Sequence, residues 1–173
     1  MQIVSRADSG IRTPEDLRGR TLAFVSPTSN SGYKTPRFLL RTAFGLEVDR
    51  DYAGTFSGKH DNSVLGVVHG DYDAAAVAST VLRQMVARGV VEPEARHVVH
   101  RSDDFPSTAY GVAHDLDPDL REAIRAAMFD FPWEGSALLR EFGATEGSRF
   151  VPVDYAVHWA SVREIAADTT AGP

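Results

Sequence analysis

"TLAFVSPTSNSGYKTPRFLL", Thr21–Leu40, decides the fold. Its head, Thr21–Val25, is an apolar run of the length of a buried strand. Its tail takes up helical spacing over Ser31–Phe44, with Pro36 tolerated only in a first turn or at a small kink. Between them lies a short turn of hydroxyls, an amide and a glycine, Ser26–Gly32. A strand, a polar turn and a helix in that order make half of a βαβ unit, and the turn falls where helix N–H groups lack partners.

Working outward, strand-like and helix-like segments keep alternating, which predicts an α/β fold with mainly parallel strands. Gln2–Ser5 reads as a strand, and "TPEDLRGR" as a short helix with Thr13 as cap, Pro14 in its first turn and Gly19 at its end. Tyr52–Phe56 is a second strand after the opening motif, followed by the turn "SGKHDN" and a helix over Asn62–His69. "YDAAAVAS" predicts a strand ending at Ser79, and Thr80–Arg88 a helix stopped by Gly89. "HVVH" and "AYGVAH" predict two further strands. Helical spacing returns over Pro118–Asp130, Gly135–Phe142 and Tyr155–Ala166, the last with Trp159, Val162 and Ile165 on one side. Phe131, Trp133, Phe142 and Trp159 are expected as packing aromatics.

Composition excludes several function classes. The 173 residues carry a net charge of −6, so there is no general electrostatic footprint for nucleic acid or an anionic membrane. An anion site here must be local, made of aimed donors. No cysteine is present, which removes disulfides and thiolate metal sites, and the six histidines lack metal-ligand spacing. No cofactor and no metal are expected. "MQIVSRADSG" shows neither the charged head nor the apolar core of a secretory leader.

The opening turn offers Ser29, Asn30 and Ser31 as side-chain donors, with Thr28, Gly32 and Tyr33 as further pocket-wall residues. Gly32 permits close backbone approach to a ligand. Such a turn suits a phosphate-like anion without lysine. Simple helix capping by Ser29 or Ser31 explains the same residues, and the pattern leaves both readings open. "SGKHDNSV" repeats the arrangement, with His60 placed just before its helix and Asp61 or Asn62 starting it. Ligands of open α/β sheets bind outside the carboxyl ends of strands, so two such turns in one unit can converge. Ser57, His60 and Asp61 have the residue types of a hydrolase triad, but crowding in one turn speaks against its geometry. No catalytic residue is assigned.

Three blocks, "DLRGRTLAFVSPTSNSGYKTPRFLL", "FSGKHDNSVLGVVHGDYDAAAVAS" and "FVPVDYAVHWASVREIA", together resemble the phosphate/phosphite/phosphonate ABC-transporter substrate-binding proteins. The resemblance implies a type 2 periplasmic-binding-protein fold with ligand held between two lobes, and an extracytoplasmic location. It implies that Ser29, Asn30 and Ser31 grip the phosphonate oxygens and that His60 contacts the same group. Asn30 departs from the threonine usual at that position. Thr108 stands where relatives that bind aminoalkyl phosphonates carry a carboxylate, which points to a ligand with an uncharged tail: phosphite, methylphosphonate or phosphate.

The same resemblance implies a layout. Residues 1–12 would be a crossover strand and linker, 13–101 a complete lobe carrying both turns, 102–166 the return strand and helices of an incomplete first lobe, and 167–173 a disordered tail. The expected partners are a small phosphorus oxyanion and an ABC permease, with either a second copy or an N-terminal segment covering the incomplete lobe. Apolar surface around Ala109–Val112 and the helices after Pro118 should then be exposed. Two other readings share the scaffold: a chorismate-dehydratase-like lyase, for which only His60 could act, and the effector-binding domain of a regulator.

Overall fold

A computed structural model describes residues 1–106, 109–141 and 147–170. Two compact units are present, residues 1–107 with 159–173 and residues 108–158.

The first unit is built on a five-stranded sheet. In chain order its strands are β1 (Gln2–Arg6), β2 (Thr21–Phe24), β3 (Ala53–Phe56), β4 (Ala74–Val77) and β5 (Arg96–Arg101), arranged β3-β2-β4-β1-β5. β2 runs parallel to β3 and β4, while β1 lies antiparallel to β4 and β5. The sheet is therefore mixed rather than mainly parallel. Local alternation cannot tell the two directions apart, because a strand buried on both faces reads the same either way. β1 lies within the sheet, with Ile3 and Val4 wholly buried.

Two-residue periodicity divides the core. Ile3, Leu22, Phe24, Ala74 and Ala76 face one way, toward Leu40 of α1 (Thr35–Phe44). Val4, Ala23, Ala75 and Val77 face the other, toward Val64 and Val67 of α2 (His60–His69) and Leu82 and Met85 of α3 (Ser79–Ala87). Both α2 and α3 begin earlier than their sequence spacing suggests, α2 at His60 and α3 at Ser79. The helix expected at "TPEDLRGR" is a single 3-10 turn, Pro14–Leu17, closed by Asp16, whose carboxylate accepts from the N–H groups of Arg12 and Thr13 at 2.9 Å each.

The chain returns to this unit at its C-terminal end. α7 (Ala160–Thr170) packs on α1, with Val162 and Ile165 buried and an ion pair from Arg41 to Asp168. The helix thus runs past Ala166 into what composition marks as a tail.

In the second unit, α4 (Pro118–Phe129) is capped by Asp117, whose Oδ1 accepts from Asp119 and Leu120 N–H at 3.0 and 3.1 Å. α5 (Ala137–Glu141) and α6 (Tyr155–His158) follow. Trp133 and Phe150 meet in a tilted ring contact at 4.9 Å between centroids, with Phe131 and Tyr110 beside them. Phe142 lies outside the described residues. "AYGV" forms no strand; Tyr110, Val112, Leu120 and Phe129 are exposed, as expected of an uncovered layer.

Phe24 ends β2 beneath the polar turn, 5.0 Å from Tyr33, 6.4 Å from Tyr52 and 6.1 Å from Phe56 between ring centroids. Phe24→Ala is expected to cost about 3–5 kcal/mol in urea unfolding, because the ring is fully buried and shared by three aromatic neighbours. A loss well under that range would mean the aromatic cluster repacks.

Candidate functional site

The parallel register sets Phe24 of β2 opposite Phe56 of β3, so both strands end at one level. The residues that follow are stitched together by backbone bonds. Ser57 N–H donates to Phe24 O at 2.8 Å and Gly58 N–H to Val25 O at 2.9 Å. Val25 N–H in turn donates to Gly32 O at 2.9 Å, closing the Ser26–Gly32 turn against the strand.

That turn does not lead straight into an α-helix. Asn30–Lys34 forms a π-helical turn, with Lys34 N–H bonded to Ser29 O at 3.0 Å, before α1 begins at Thr35. Pro36 supplies the reason. It has no N–H to give to Gly32 O four residues back, and that carbonyl is free to accept from Val25 instead. The π turn is a single short one, directly ahead of α1.

Ser29 is the cap of this turn: its Oγ accepts from Gly32 N–H at 3.0 Å. Capping uses a lone pair of the hydroxyl and leaves its hydrogen free to donate, so capping and anion contact are compatible in one residue. Among the described residues, no hydrogen bond engages the N–H groups or side chains of Asn30 and Ser31. Gly32 has no room for a side chain, since a Cβ there would sit 2.4 Å from Val25 Cγ2 and 2.9 Å from Ser29 Oγ. Tyr33 packs edge-on against Phe24 and its hydroxyl accepts from Arg37 at 3.1 Å, which fixes its ring at both ends.

His60 is the first residue of α2, and the cap position falls on Lys59 rather than on Asp61. Its Nδ1 accepts from the N–H of Ala78 at 3.1 Å. Ala78 follows β4 and caps α3. A third strand-to-helix corner thus joins the first two, carrying Ser79 and Thr80 in the opening turn of α3. Sequence reading missed it because Ser79 was assigned to the strand; the hydroxyl pair directly after an apolar run was the available signal. Burial holds the His60 imidazole below the ordinary histidine range, with the Asp61 carboxylate pulling weakly upward.

A hydrolase triad is not assembled. Ser57 Oγ is engaged with Ser63 Oγ at 2.5 Å and with Lys59 O at 3.0 Å, while Nδ1 of His60 is taken by Ala78. Thr108 lies outside the described residues.

Residues 1–158 match the family model for the phosphonate ABC transporter, periplasmic substrate-binding protein. The chain belongs to that family. It is 25% identical over 130 residues to the phosphate-import protein PhnD of Mycolicibacterium smegmatis, covering 70% of this chain and 40% of that protein. Its fold is similar to that of PhnD1 from Prochlorococcus marinus, solved in complex with methylphosphonate, with a TM-score of 0.79 and 18% identity over 98% of this chain and 66% of the other. XAC2383 from Xanthomonas citri, solved bound to ATP, gives a TM-score of 0.69 and 23% identity over 98% of this chain and 65% of its own. The family is one of transport binding proteins, periplasmic and of type 2 architecture; among the described residues no helix is long and apolar enough to cross a membrane.

Two outcomes test this geometry. Gly32→Ala is expected to destabilise by about 1–3 kcal/mol through overpacking against Val25, read by chemical denaturation. His60 and His100 both have lowered values through burial, so the unfolded chain binds more protons than the folded one below the unfolded histidine value of 6.5. The stability they contribute is complete above that pH and is lost as pH falls through the folded values. His60→Gln should remove part of that acid sensitivity in melting curves, leaving the share of His100; an unchanged slope would refute the assignment to His60.

Proposed function

We propose that this chain is the solute-binding component, or a part of one, that delivers a small phosphorus oxyanion to an ABC permease outside the cytoplasm, with no catalytic step. The observation that supports the reading is the pair of backbone bonds at Val25, which joins the Ser29–Asn30–Ser31 turn to the turn before His60. Open helix N-terminal N–H groups, three side-chain donors and one imidazole then belong to one strand-end cluster. Donors of that kind fit the several equivalent oxygens of phosphite, methylphosphonate or phosphate.

In this reading Ser29, Asn30 and Ser31 hold the oxygens, His60 adds a hydrogen bond, and Thr28, Gly32 and Tyr33 shape the wall. By the resemblance, Thr108 offers a hydroxyl where an ammonium on the ligand would need a carboxylate. The methylphosphonate bound to PhnD1 is in keeping with an uncharged tail. Ala78 and the hydroxyls of Ser79 and Thr80 extend the same cluster.

The chain spans 40% of the length of its M. smegmatis relative and 66% of the solved PhnD1. Closure of two lobes supplies much of the burial in clefts of this kind. The isolated chain is therefore expected to bind with less than micromolar strength, and a second copy or an added N-terminal segment is expected to raise affinity. Calorimetry or NMR titration with phosphite, methylphosphonate and phosphate is the test. Ser29→Ala, Asn30→Ala and Ser31→Ala should each weaken the best ligand by roughly tenfold to a hundredfold, the worth of one hydrogen bond to a charged group. Tighter binding of aminoethylphosphonate than of methylphosphonate would overturn the role given to Thr108, and saturable binding untouched by all three substitutions would overturn the site.

A further inference from the structure

We propose that the Ala78 N–H makes His60 an obligate uncharged donor through Nε2–H, so that acid weakens its grip on an anion instead of strengthening it. The proposal rests on the reading of His60 as a ligand contact, and adds the protonation state and its consequence.

The geometry carries it. A backbone N–H can only donate, and at 3.1 Å from His60 Nδ1 it requires a lone pair there. A neutral imidazole has one acceptor and one donor nitrogen, so fixing Nδ1 as acceptor places the proton on Nε2. The lock is main-chain, and no side-chain change at position 78 short of proline removes it. Adding a second proton would put an N–H on Nδ1 facing the Ala78 N–H. Two donors at that separation repel, and the ring must leave its place to relieve them.

Surrounding charges do not reverse this. Lys59 and Asp61 flank His60 in the chain, and Asp61 favours the cation only enough to oppose burial in part. Of the elements packed against α2, β4 carries no titratable group. β1 carries Arg6, which pairs with Asp8 and lies beside Gly70 at the far end of α2. α3 carries Arg83 past its first turn, with Arg88 at its C-terminal cap, and the Thr28–Gly32 turn has no charge. The ordinary expectation, that an imidazolium attracts a phosphorus oxyanion more strongly than an imidazole does, is inverted here by one hydrogen bond.

Long-range nitrogen–proton NMR on the ligand-free full chain near pH 8 reads the tautomer directly. A protonated Nε2 with a bare Nδ1 is expected; a proton on Nδ1, or a rapidly exchanging mixture, overturns the lock. The second arm titrates methylphosphonate into wild type and His60→Gln by NMR from pH 8 to pH 5, at concentrations high enough for weak binding. Comparing the two proteins at each pH cancels the ligand's own ionisation. The affinity advantage of wild type should shrink by up to about tenfold for each pH unit below the His60 value, following the neutral fraction. An advantage that grows in acid overturns the proposal. Absence of methylphosphonate binding in both proteins at every pH overturns the ligand contact itself, a failure separate from the tautomer, which the first arm has by then decided.

Discussion

Everything at the strand ends depends on the two backbone bonds of Val25. Its N–H closes the first turn onto Gly32 O, and its carbonyl receives the N–H of Gly58 from the second. The relative placement of the two turns is thereby set by main-chain atoms and by the parallel register of β2 and β3. The side chain of Val25 adds a third constraint by filling the space a Cβ on Gly32 would need. A site fixed in this way tolerates wide change in side chains elsewhere.

The same construction bears on the anion contact proposed for a chain of net charge −6. Lys34 ends the π turn and Lys59 caps α2, and the other candidate donors of the two turns are hydroxyls, an amide, backbone N–H groups and the imidazole of His60. Dipoles held in place act at short range and do not depend on a long-range field, so salt screens them less than it would a lysine patch. They also stay discriminating, because each points in one direction and needs an oxygen at its end.

The strand–turn–helix grammar of this unit was legible because period-two and period-3.6 apolar patterns abut without overlap at Val25 and again at Phe56. What was not legible followed from partners distant in sequence. The antiparallel course of β1 and β5 leaves no local trace. The π turn depends on a carbonyl that Pro36 cannot engage and that Val25 can. His60 at the head of α2 looked like a loop residue, since the helical face begins only at Val64 and Val67; its fixed orientation comes from Ala78, eighteen positions on. The candidate residues were therefore named from resemblance and residue type, while their bonding states came from the fold.

Tyr110 and Val112, and then Val151, Val153, Tyr155 and Val157, show the opposite case. All are exposed, and Tyr110 and Val112, like Val151 and Val153, alternate at the spacing of a strand, whereas Tyr155 and Val157 lie in α6. Apolar alternation is half of what makes a strand; the other half is a neighbour whose N–H and C=O groups complete the ladder. Where β1 finds β4 and β5 on its two edges, Gln2–Ser5 are buried, and "AYGV" is assigned to no strand among the described residues. The pattern is written into the segment, but the strand exists only once a partner takes up its edge.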